Sequence, residues 1–282
     1  METPRYAFVL STGRCGTTSL GILLRNSSSV LALNEGQLRG ADLGGEQVLK
    51  ALTLQNLQAY LAPKNATSLL AEARGQQIQD ALKRFKKSYF IEIAYYLAPF
   101  TAALHSLYPD AKFLYLHRDG RSFVRSVYTD LAPDPMPVGY VDDRPLSMQE
   151  RFVALGRLRP RQDSELHHSW EHLPPFERNA WLWAETNRLI LDNLQAVPEA
   201  QQLSVPMQAL FSLDSLGSIL NFFDINDINE RVVAEATTRR INARPKTILP
   251  PWQEWPEEFK ARFKTYGQAM LERLGYVTND LW

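Results

Sequence analysis

Short apolar runs alternate along the chain with longer stretches that carry apolar residues on one helical face. The apolar runs lie at residues 6–11, 89–93 and 112–117. Runs of this length without polar alternation are typical of strands that are buried on both faces of a parallel sheet. We therefore predict strands at these three places and a further strand at residues 202–205.

The stretches between these runs predict helices. Leu20, Leu23 and Leu24 share one face of a helix over residues 17–25, which is the spacing of a helix that packs on a sheet. Further helices are predicted at residues 46–62, 66–86, 97–108, 121–128, 147–157, 176–196 and 213–223, with a last one ending near Gly275. Apart from its short helix, the segment 132–175 is rich in Pro, Asp, Arg and His and predicts a loop region.

The order of these elements predicts the fold class. Strands that alternate with helices build an α/β fold, in which a central and mainly parallel sheet is flanked by helices. The chain contains no internal repeat and no low-complexity segment. We therefore expect residues 1–282 to form a single domain.

Composition excludes several classes of protein. Lys and Arg together number 31, as do Asp and Glu, so the formal net charge is zero. That balance argues against a polybasic nucleic-acid binder, although it leaves room for a local basic pocket. The single cysteine excludes an intramolecular disulfide. Since no apolar run approaches the ~20 residues that cross a bilayer, we expect a cytoplasmic enzyme without membrane insertion; nothing indicates its oligomeric state.

The first candidate site is a glycine-rich turn between a predicted strand and a predicted helix. Gly13 and Gly16 permit positive φ and close approach of a ligand, and the helix that follows directs backbone N–H groups to the same place. Arg14 adds a charge that can bind an anion through two parallel hydrogen bonds. The candidate residues are Ser11, Gly13, Arg14, Cys15, Gly16, Thr17, Thr18 and Ser19. A glycine turn with an ordinary helix cap is the alternative, and the lysine of Walker-type loops is missing.

A second candidate site follows the strand at residues 112–117. Arg118, Arg121 and Arg125 lie within about two helical turns of one another, with hydroxyls at Ser122 and Ser126. Such a cluster can bind a phosphate through charge-assisted hydrogen bonds. The alternative is a solvated helix face on which Asp119 pairs with an arginine. Two anion sites at two strand ends suggest one ligand that carries phosphate groups at both ends.

Together the two motifs resemble those of the sulfotransferase family, which uses 3′-phosphoadenosine 5′-phosphosulfate (PAPS). The segment Gly13-Arg14-Cys15-Gly16-Thr17-Thr18 is similar to the family's 5′-phosphosulfate loop, with Gly13 in place of the usual proline. The segment Arg118-Asp119-Gly120-Arg121, with Ser126 eight positions after Arg118, is similar to its 3′-phosphate motif. The resemblance extends over most of the chain, through Tyr108-Pro-Asp-Ala-Lys-Phe, Trp181-Leu-Trp183, Asn187, Asn242, Trp252, Trp255 and Leu274-Gly275-Tyr276.

The resemblance implies a P-loop-like sulfotransferase fold and an in-line transfer of the sulfuryl group of PAPS. The acceptor would be a hydroxyl or amine of a carbohydrate, lipid or other small molecule, and no metal would be needed. Arg14 would neutralise charge on the 5′-phosphate and on the transferred group. Arg118 and Ser126 would hold the 3′-phosphate, with Arg121 as a further candidate.

Two carboxylates are candidates for the general base. Many cytosolic family members carry a histidine after the strand that precedes the 3′-phosphate strand, but this chain reads Ile91-Glu92-Ile93-Ala94-Tyr95 there. Glu35 occupies the place of the glutamate that other branches carry after the first helix. Glu92 occupies a second such place, although Ile93 replaces the lysine expected after it. A carboxylate at a strand end beside arginines is expected to stay ionised and to accept a proton, and our first choice is Glu35.

Other interpretations remain at this point. The chain could be a P-loop kinase of a small metabolite, or a catalytically inactive relative that only binds a nucleotide. The cluster of His167, His168 and His172 would need a fixed third ligand to be a metal site. A helix N-terminus beside Cys15 would lower its pKa, but a small packing role is favoured. The loop region 132–175 is expected on the acceptor side.

Overall fold

A single sheet organises the computed structural model, which describes residues 3–39, 45–128, 138–140, 146–238 and 249–277. The described residues form seven strands in the order β4-β3-β2-β5-β1-β6-β7. The strands are β1 (Arg5–Ser11), β2 (Val30–Asn34), β3 (Gln37–Arg39), β4 (Gly45–Gln47), β5 (Tyr89–Ile93), β6 (Lys112–His117) and β7 (Gln202–Pro206).

Strand β1 lies at the centre of the parallel part of the sheet. It pairs in parallel with β5 on one side and with β6 on the other, and the parallel pairs β2–β5 and β6–β7 extend the sheet outward. Among the described pairs, the antiparallel ones are those that β3 forms with β2 and with the edge strand β4. The chain passes from β5 to β6 across β1, so the carboxyl ends of these strands border a crevice of the kind that binds ligands in open α/β sheets.

Helices cover both faces of the sheet. They are α1 (Thr17–Leu24), α2 (Thr53–Leu61), α3 (Ala66–Phe85), α4 (Thr101–Leu107), α5 (Gly120–Val127), α6 (Met148–Leu155), α7 (Pro175–Leu194), α8 (Met207–Leu210), α9 (Leu213–Phe222), α10 (Glu230–Thr238) and α11 (Glu257–Arg273). Short 3₁₀ helices lie at Pro63–Asn65, Tyr95–Phe100, Glu165–His167, Trp170–His172, Glu199–Gln201 and Trp252–Glu254.

The two faces of β1 belong to different parts of the core. Phe8 and Leu10 pack with residues of α3, α4 and α7, whereas Ala7 and Val9 pack with residues of α1 and α9. Successive side chains of a strand point to opposite faces, so a strand without polar alternation has apolar neighbours on both sides. This arrangement confirms the predicted α/β fold with a mainly parallel sheet between helices.

Two helices predicted from the sequence begin later in the structure, and some elements of the structure were not predicted. The predicted helix over residues 46–62 begins only at Thr53, because residues 45–47 form the edge strand β4. The predicted helix over residues 97–108 begins at Thr101, since Pro99 lies inside the preceding 3₁₀ turn. Strand β2 and helix α10 were missed. Parts of the predicted loop region, residues 132–137 and 141–145, lie outside the described residues, as does Asn242.

None of the described helices is both long enough and apolar enough to cross a membrane.

Candidate functional site

The turn after β1 is held in a left-handed conformation at three positions. Gly13, Arg14 and Gly16 have φ values of 79°, 58° and 77°. Ser11 is fully buried and its Oγ accepts a hydrogen bond of 3.0 Å from the Gly13 amide, so this hydroxyl shapes the turn. A Cβ atom at Gly16 would lie 2.7 Å from the Leu210 side chain. Both the backbone conformation and the close packing therefore require glycine at position 16.

Helix α1 begins directly after this turn, at Thr17, and its first turn faces the same crevice. Gly16 occupies the cap position and offers no side-chain hydrogen bond to the helix. The first backbone N–H groups of a helix have no partner within it, and they favour an anion at this end. Ser19 adds a buried hydroxyl that has no hydrogen-bond partner in the described structure. The predicted loop residues thus present amides and hydroxyls near Arg14.

The two predicted motifs meet at the ends of β1 and β6. Arg14 donates a hydrogen bond of 3.1 Å from Nε to Oγ of Ser126 on α5. Arg118 donates a bond of 2.5 Å from Nη1 to the carbonyl oxygen of Arg14. Residues 112 positions apart in the sequence therefore form one cluster, because β1 and β6 are parallel neighbours whose carboxyl ends lie side by side.

Helix α7 holds the backbone of Arg118 in place. Trp183 donates a hydrogen bond of 3.0 Å from Nε1 to the carbonyl oxygen of Arg118, and a Cβ atom at Gly120 would meet the indole ring at 2.5 Å. Asn187 bonds to the Trp183 carbonyl and accepts from the hydroxyl of Tyr115. These contacts fix the backbone that carries the arginine.

The buried guanidinium of Arg118 is only partly compensated by its described neighbours. Its Nε atom is buried and has no hydrogen-bond partner among the residues described. Burial lowers the pKa of Arg118, and the neighbouring charge of Arg14 lowers it as well, although Cys15 and Asp119 act in the opposite direction. An anion bound at this place would relieve both the desolvation and the repulsion between the guanidinium groups.

Arg121, the further candidate for phosphate binding, has a different environment. Its guanidinium forms a two-pronged ion pair with Asp119 at 2.5–3.1 Å and lies 3.7 Å from the ring centre of Trp252. Asp119 also caps α5 by accepting from the amides of Arg121 and Ser122. These contacts stabilise the turn that carries Arg118.

Cys15 is fully buried within the loop. Its thiol donates to the Gly13 carbonyl at 3.1 Å, and burial raises the pKa of Cys15. Burial therefore outweighs the helix N-terminus, which alone would lower the value. The thiol of Cys15 packs within the turn and stabilises it, which agrees with the packing role favoured in the sequence analysis.

Glu35 lies at the carboxyl end of β2, in a two-residue hairpin turn. Glu35 and Gly36 both have positive φ, at 53° and 77°, and Asn34 pairs with Gln37 across the turn. The carboxylate is 18 % exposed and forms an ion pair of 2.8 Å with Arg39. Burial raises the pKa of Glu35, while the charges of Arg39 and Arg14 oppose that rise. Glu35 is thus close enough to Arg14 for their charges to interact.

Glu92, the second candidate for the base, points into the protein core. Its side chain has no exposed surface, and both carboxylate oxygens accept from Arg74, which is itself 1 % exposed. Tyr96 donates a further bond of 3.0 Å to Glu92. A carboxylate with these fixed partners and no exposed surface cannot be approached by an acceptor in this conformation.

No group of three or more metal-ligating side chains suited to a metal ion occurs among the described residues. His167 and His168 have ring centres 5.8 Å apart. His117 lies beside Arg118 in sequence, but its Nδ1 is 2.9 Å from the hydroxyl of Tyr276, and burial lowers the pKa of His117 to about 4. His117 is therefore a neutral packing residue at neutral pH.

Sequence reasoning missed a small cavity beside the glycine-rich turn. It is lined by Thr12, Asn56, Tyr95, Val138, Arg157, Leu158, Leu182 and Thr186. Tyr95 lies two residues after the end of β5, at the edge of the sheet where the site forms, and this position was the available signal. Asn56 lies on α2 and carries no comparable signal, because its place beside the turn depends on the packing of two helices.

The comparisons with known proteins agree with this geometry. A family model described as "Sulfotransferase family" matches residues 7–206. The sulfotransferase domain from the curacin biosynthetic pathway has a TM-score of 0.54 at 15 % identity, over 99 % of this chain and 100 % of that chain. Sulfotransferase STF1 from Mycobacterium tuberculosis H37Rv has a TM-score of 0.52 at 15 % identity, over 94 % of this chain and 77 % of that chain. At such identities the likeness concerns the fold. No curated protein matches the sequence.

Proposed function

Because the chain belongs to the sulfotransferase family, we propose that it is a PAPS-dependent sulfotransferase acting on a hydroxyl or amine of a small molecule, lipid or glycan. The observation that carries this proposal is the cluster in which Arg14 bonds to Ser126 while Arg118 bonds to the backbone of Arg14. It joins a loop suited to one phosphate with a motif suited to another, as a ligand with two separated phosphate groups requires.

The residues of the site fit such a ligand. The buried and unpartnered Nε of Arg118 offers a hydrogen bond to an anion. The turn has three positive φ angles, and the first amides of α1 receive no hydrogen bond from a capping side chain. Backbone N–H groups arranged in this way bind phosphate in many proteins. Glycine at position 16 allows the positive φ of this turn and its close packing against Leu210.

The chemistry that PAPS supplies is a sulfuryl group on a good leaving group. Arg14 would stabilise negative charge as it develops beside the loop, and the amides of Gly16, Thr17 and Thr18 would assist from the start of α1. Electrostatic stabilisation by donors that are already in place is the largest contribution in many enzymes. Arg118 and Ser126 would hold the more distant phosphate and so fix the angle of attack.

Glu35 is the carboxylate that we propose as general base. It lies at the same edge of the sheet as Arg14 and interacts with its charge, whereas Glu92 is enclosed by Arg74 and Tyr96. A raised pKa brings a carboxylate closer to the range in which it accepts a proton efficiently. Arg39, which pairs with Glu35, would orient the carboxylate, and the scheme needs no metal.

The direct test is transfer of radioactive sulfur from labelled PAPS to a panel of alcohols, sugars, phenols and amines. We expect label in at least one acceptor with wild-type protein and none with Arg14→Ala. The surface variant Arg188→Ala, on the exposed side of α7, serves as the control and should transfer normally. Absence of transfer with tight nucleotide binding would instead indicate an inactive relative that only binds the nucleotide.

A further inference from the structure

The cavity beside Thr12 contains two polar atoms that have no partner. Oδ1 of Asn56 and the hydroxyl of Tyr95 are both buried and lack a hydrogen bond within the described structure. Both residues line this cavity, whose volume is about 20 Å³, room for about one water-sized group. Buried polar atoms are normally hydrogen-bonded, so two unpartnered atoms around one space mark a place where a polar group can bind.

The orientation of Asn56 defines what this group must offer. Asn56 is 3 % exposed, and its Nδ2 donates a hydrogen bond of 2.6 Å to the carbonyl oxygen of Gly156. That bond fixes the amide, so the oxygen atom, not the nitrogen, is the unpartnered one. A group that binds there must therefore donate a hydrogen bond, which an ionised carboxylate cannot do.

Tyr95 defines the second requirement. Burial raises the pKa of Tyr95, and the charge of Glu35 raises it too, so the phenol stays protonated and can donate its hydrogen. A hydroxyl can donate to Asn56 and accept from Tyr95 at the same time, as can a water molecule or an amine. Thr12 and Thr186 add further hydroxyls to the lining.

The cavity adjoins the reactive part of the site. A Cβ atom at Gly13 would lie 3.4 Å from Cβ of Tyr95 and 3.0 Å from Val138, so Tyr95 packs against the turn that carries Arg14. The interaction of Tyr95 with the charge of Glu35 places the proposed base near the cavity as well.

We propose that this cavity binds a second hydroxyl of the acceptor, through Tyr95 and Asn56, while a neighbouring hydroxyl receives the sulfuryl group. The inference rests on the proposed function and narrows its substrate class to molecules with at least two nearby hydroxyls, such as sugars, vicinal diols and catechols. An acceptor with one hydroxyl would leave both protein atoms unpaired, which is how a site that hydrogen-bonds a hydroxyl rejects analogues without it.

The first test measures thermal unfolding of two matched variants. Tyr95→Phe removes the unpartnered hydroxyl, whereas Tyr96→Phe removes a hydroxyl that is bonded to Glu92 and Arg74. We expect the Tm of Tyr95→Phe to equal or exceed that of the wild type, and the Tm of Tyr96→Phe to fall by several degrees. An equal fall for Tyr95→Phe would show that its hydroxyl has a structural partner such as a permanent water, and would overturn the inference.

The second test measures transfer to pairs of acceptors that differ by one hydroxyl. Suitable pairs are catechol and phenol, 1,2-hexanediol and 1-hexanol, and a methyl glycoside with its deoxy analogue. In the pair that the enzyme uses best, we expect kcat/KM to be about 10- to 100-fold higher for the acceptor with the additional hydroxyl. Tyr95→Phe should bring that ratio close to one, and Tyr96→Phe should leave it unchanged.

The outcomes separate this inference from the proposed function. Transfer without preference for an acceptor with a second hydroxyl, or a preference that is unchanged in Tyr95→Phe, overturns the inference. Neither result contradicts the proposed sulfotransferase activity. Nucleotide binding without transfer to any member of the panel also overturns it. Failure to bind 3′,5′-phosphoadenosine contradicts the proposed function itself, while the thermal comparison of the two tyrosine variants still tests whether the cavity holds an unpaired hydroxyl.

Discussion

At the scale of single residues, Arg14 and Glu35 share an uncommon backbone conformation. Both have positive φ without being glycine, at a cost of about 1–3 kcal/mol each. The other such residues in the described structure are Lys86, at the end of α3, and Asp224, after α9. Strain of this kind persists where other contacts compensate, and it is frequent at functional sites. At Glu35 the positive φ belongs to the two-residue hairpin turn and at Arg14 to the glycine-rich turn, so in both places it fixes the backbone that presents the side chain.

Glu35→Gln tests the proposed base at this scale. Because an amide cannot accept the proton, we expect kcat to fall by about 10²- to 10⁴-fold while the affinity for 3′,5′-phosphoadenosine changes little. In the wild type, activity should rise with pH through a pKa above the ordinary glutamate value of 4.5, since burial raises the pKa of Glu35. That rising limb should be missing from the residual activity of the variant.

The free energy of unfolding gives a second measurement on Glu35→Gln and on a matched variant at Glu92. A carboxyl group with a raised pKa stabilises the fold most below its unfolded pKa, and this contribution is lost as pH rises through the folded pKa. Glu35→Gln should therefore not lower the Tm at neutral pH. The matched variant Glu92→Gln leaves Arg74 buried without its counter-charge and should cost about 3–5 kcal/mol, measured by urea unfolding, with nucleotide affinity kept. Loss of activity from Glu92→Gln at unchanged stability would reverse the two assignments.

At the scale of elements, the site depends on the turn between β1 and α1. Gly16 has positive φ, and a Cβ atom placed on it would lie 2.7 Å from Leu210, so Gly16→Ala should distort the turn. Gly75, inside α3, has no atom within 4 Å of such a Cβ, and alanine there should stabilise the helix by up to about 1 kcal/mol.

The two glycine variants form a matched pair for calorimetry and thermal unfolding. We expect Gly16→Ala to lower both the Tm and the affinity for 3′,5′-phosphoadenosine, and Gly75→Ala to raise the Tm with the affinity unchanged. Normal affinity in Gly16→Ala would mean that the shape of this turn does not govern nucleotide binding.

The sequence predicts elements best where their boundaries are chemically marked. Strands β1 and β6 end at a glycine turn and at Arg118-Asp119-Gly120, and both were predicted. Strand β2 follows three serines and consists of five buried residues, a run too short and too uniform to be distinguished from a loop or helix. Helix α6 begins with a capping box of Ser147 and Glu150, which marks its start within a segment that otherwise lacks periodicity.

At the scale of the whole molecule, topology creates the site from distant parts of a neutral chain. The 31 basic and 31 acidic residues cancel, so composition gives no sign of a basic pocket. The sheet order brings the ends of β1 and β6 together, and with them Arg14 and Arg118. Both motifs could be read from the sequence, but their contact, the enclosure of Glu92 by Arg74 and the cavity at Tyr95 depend on packing that no local pattern records.

The measurement that tests the central claim most directly is calorimetric titration with 3′,5′-phosphoadenosine, alongside ATP with magnesium. We predict that wild-type protein binds the bisphosphate tightly and binds ATP with magnesium weakly or not at all. Arg118→Ala should weaken binding of the bisphosphate by about 10- to 100-fold, the loss of one or two charge-assisted hydrogen bonds, and Arg188→Ala should bind as the wild type does. Binding of ATP alone, or equal affinity in Arg118→Ala, would contradict the assignment of the two motifs to one PAPS site.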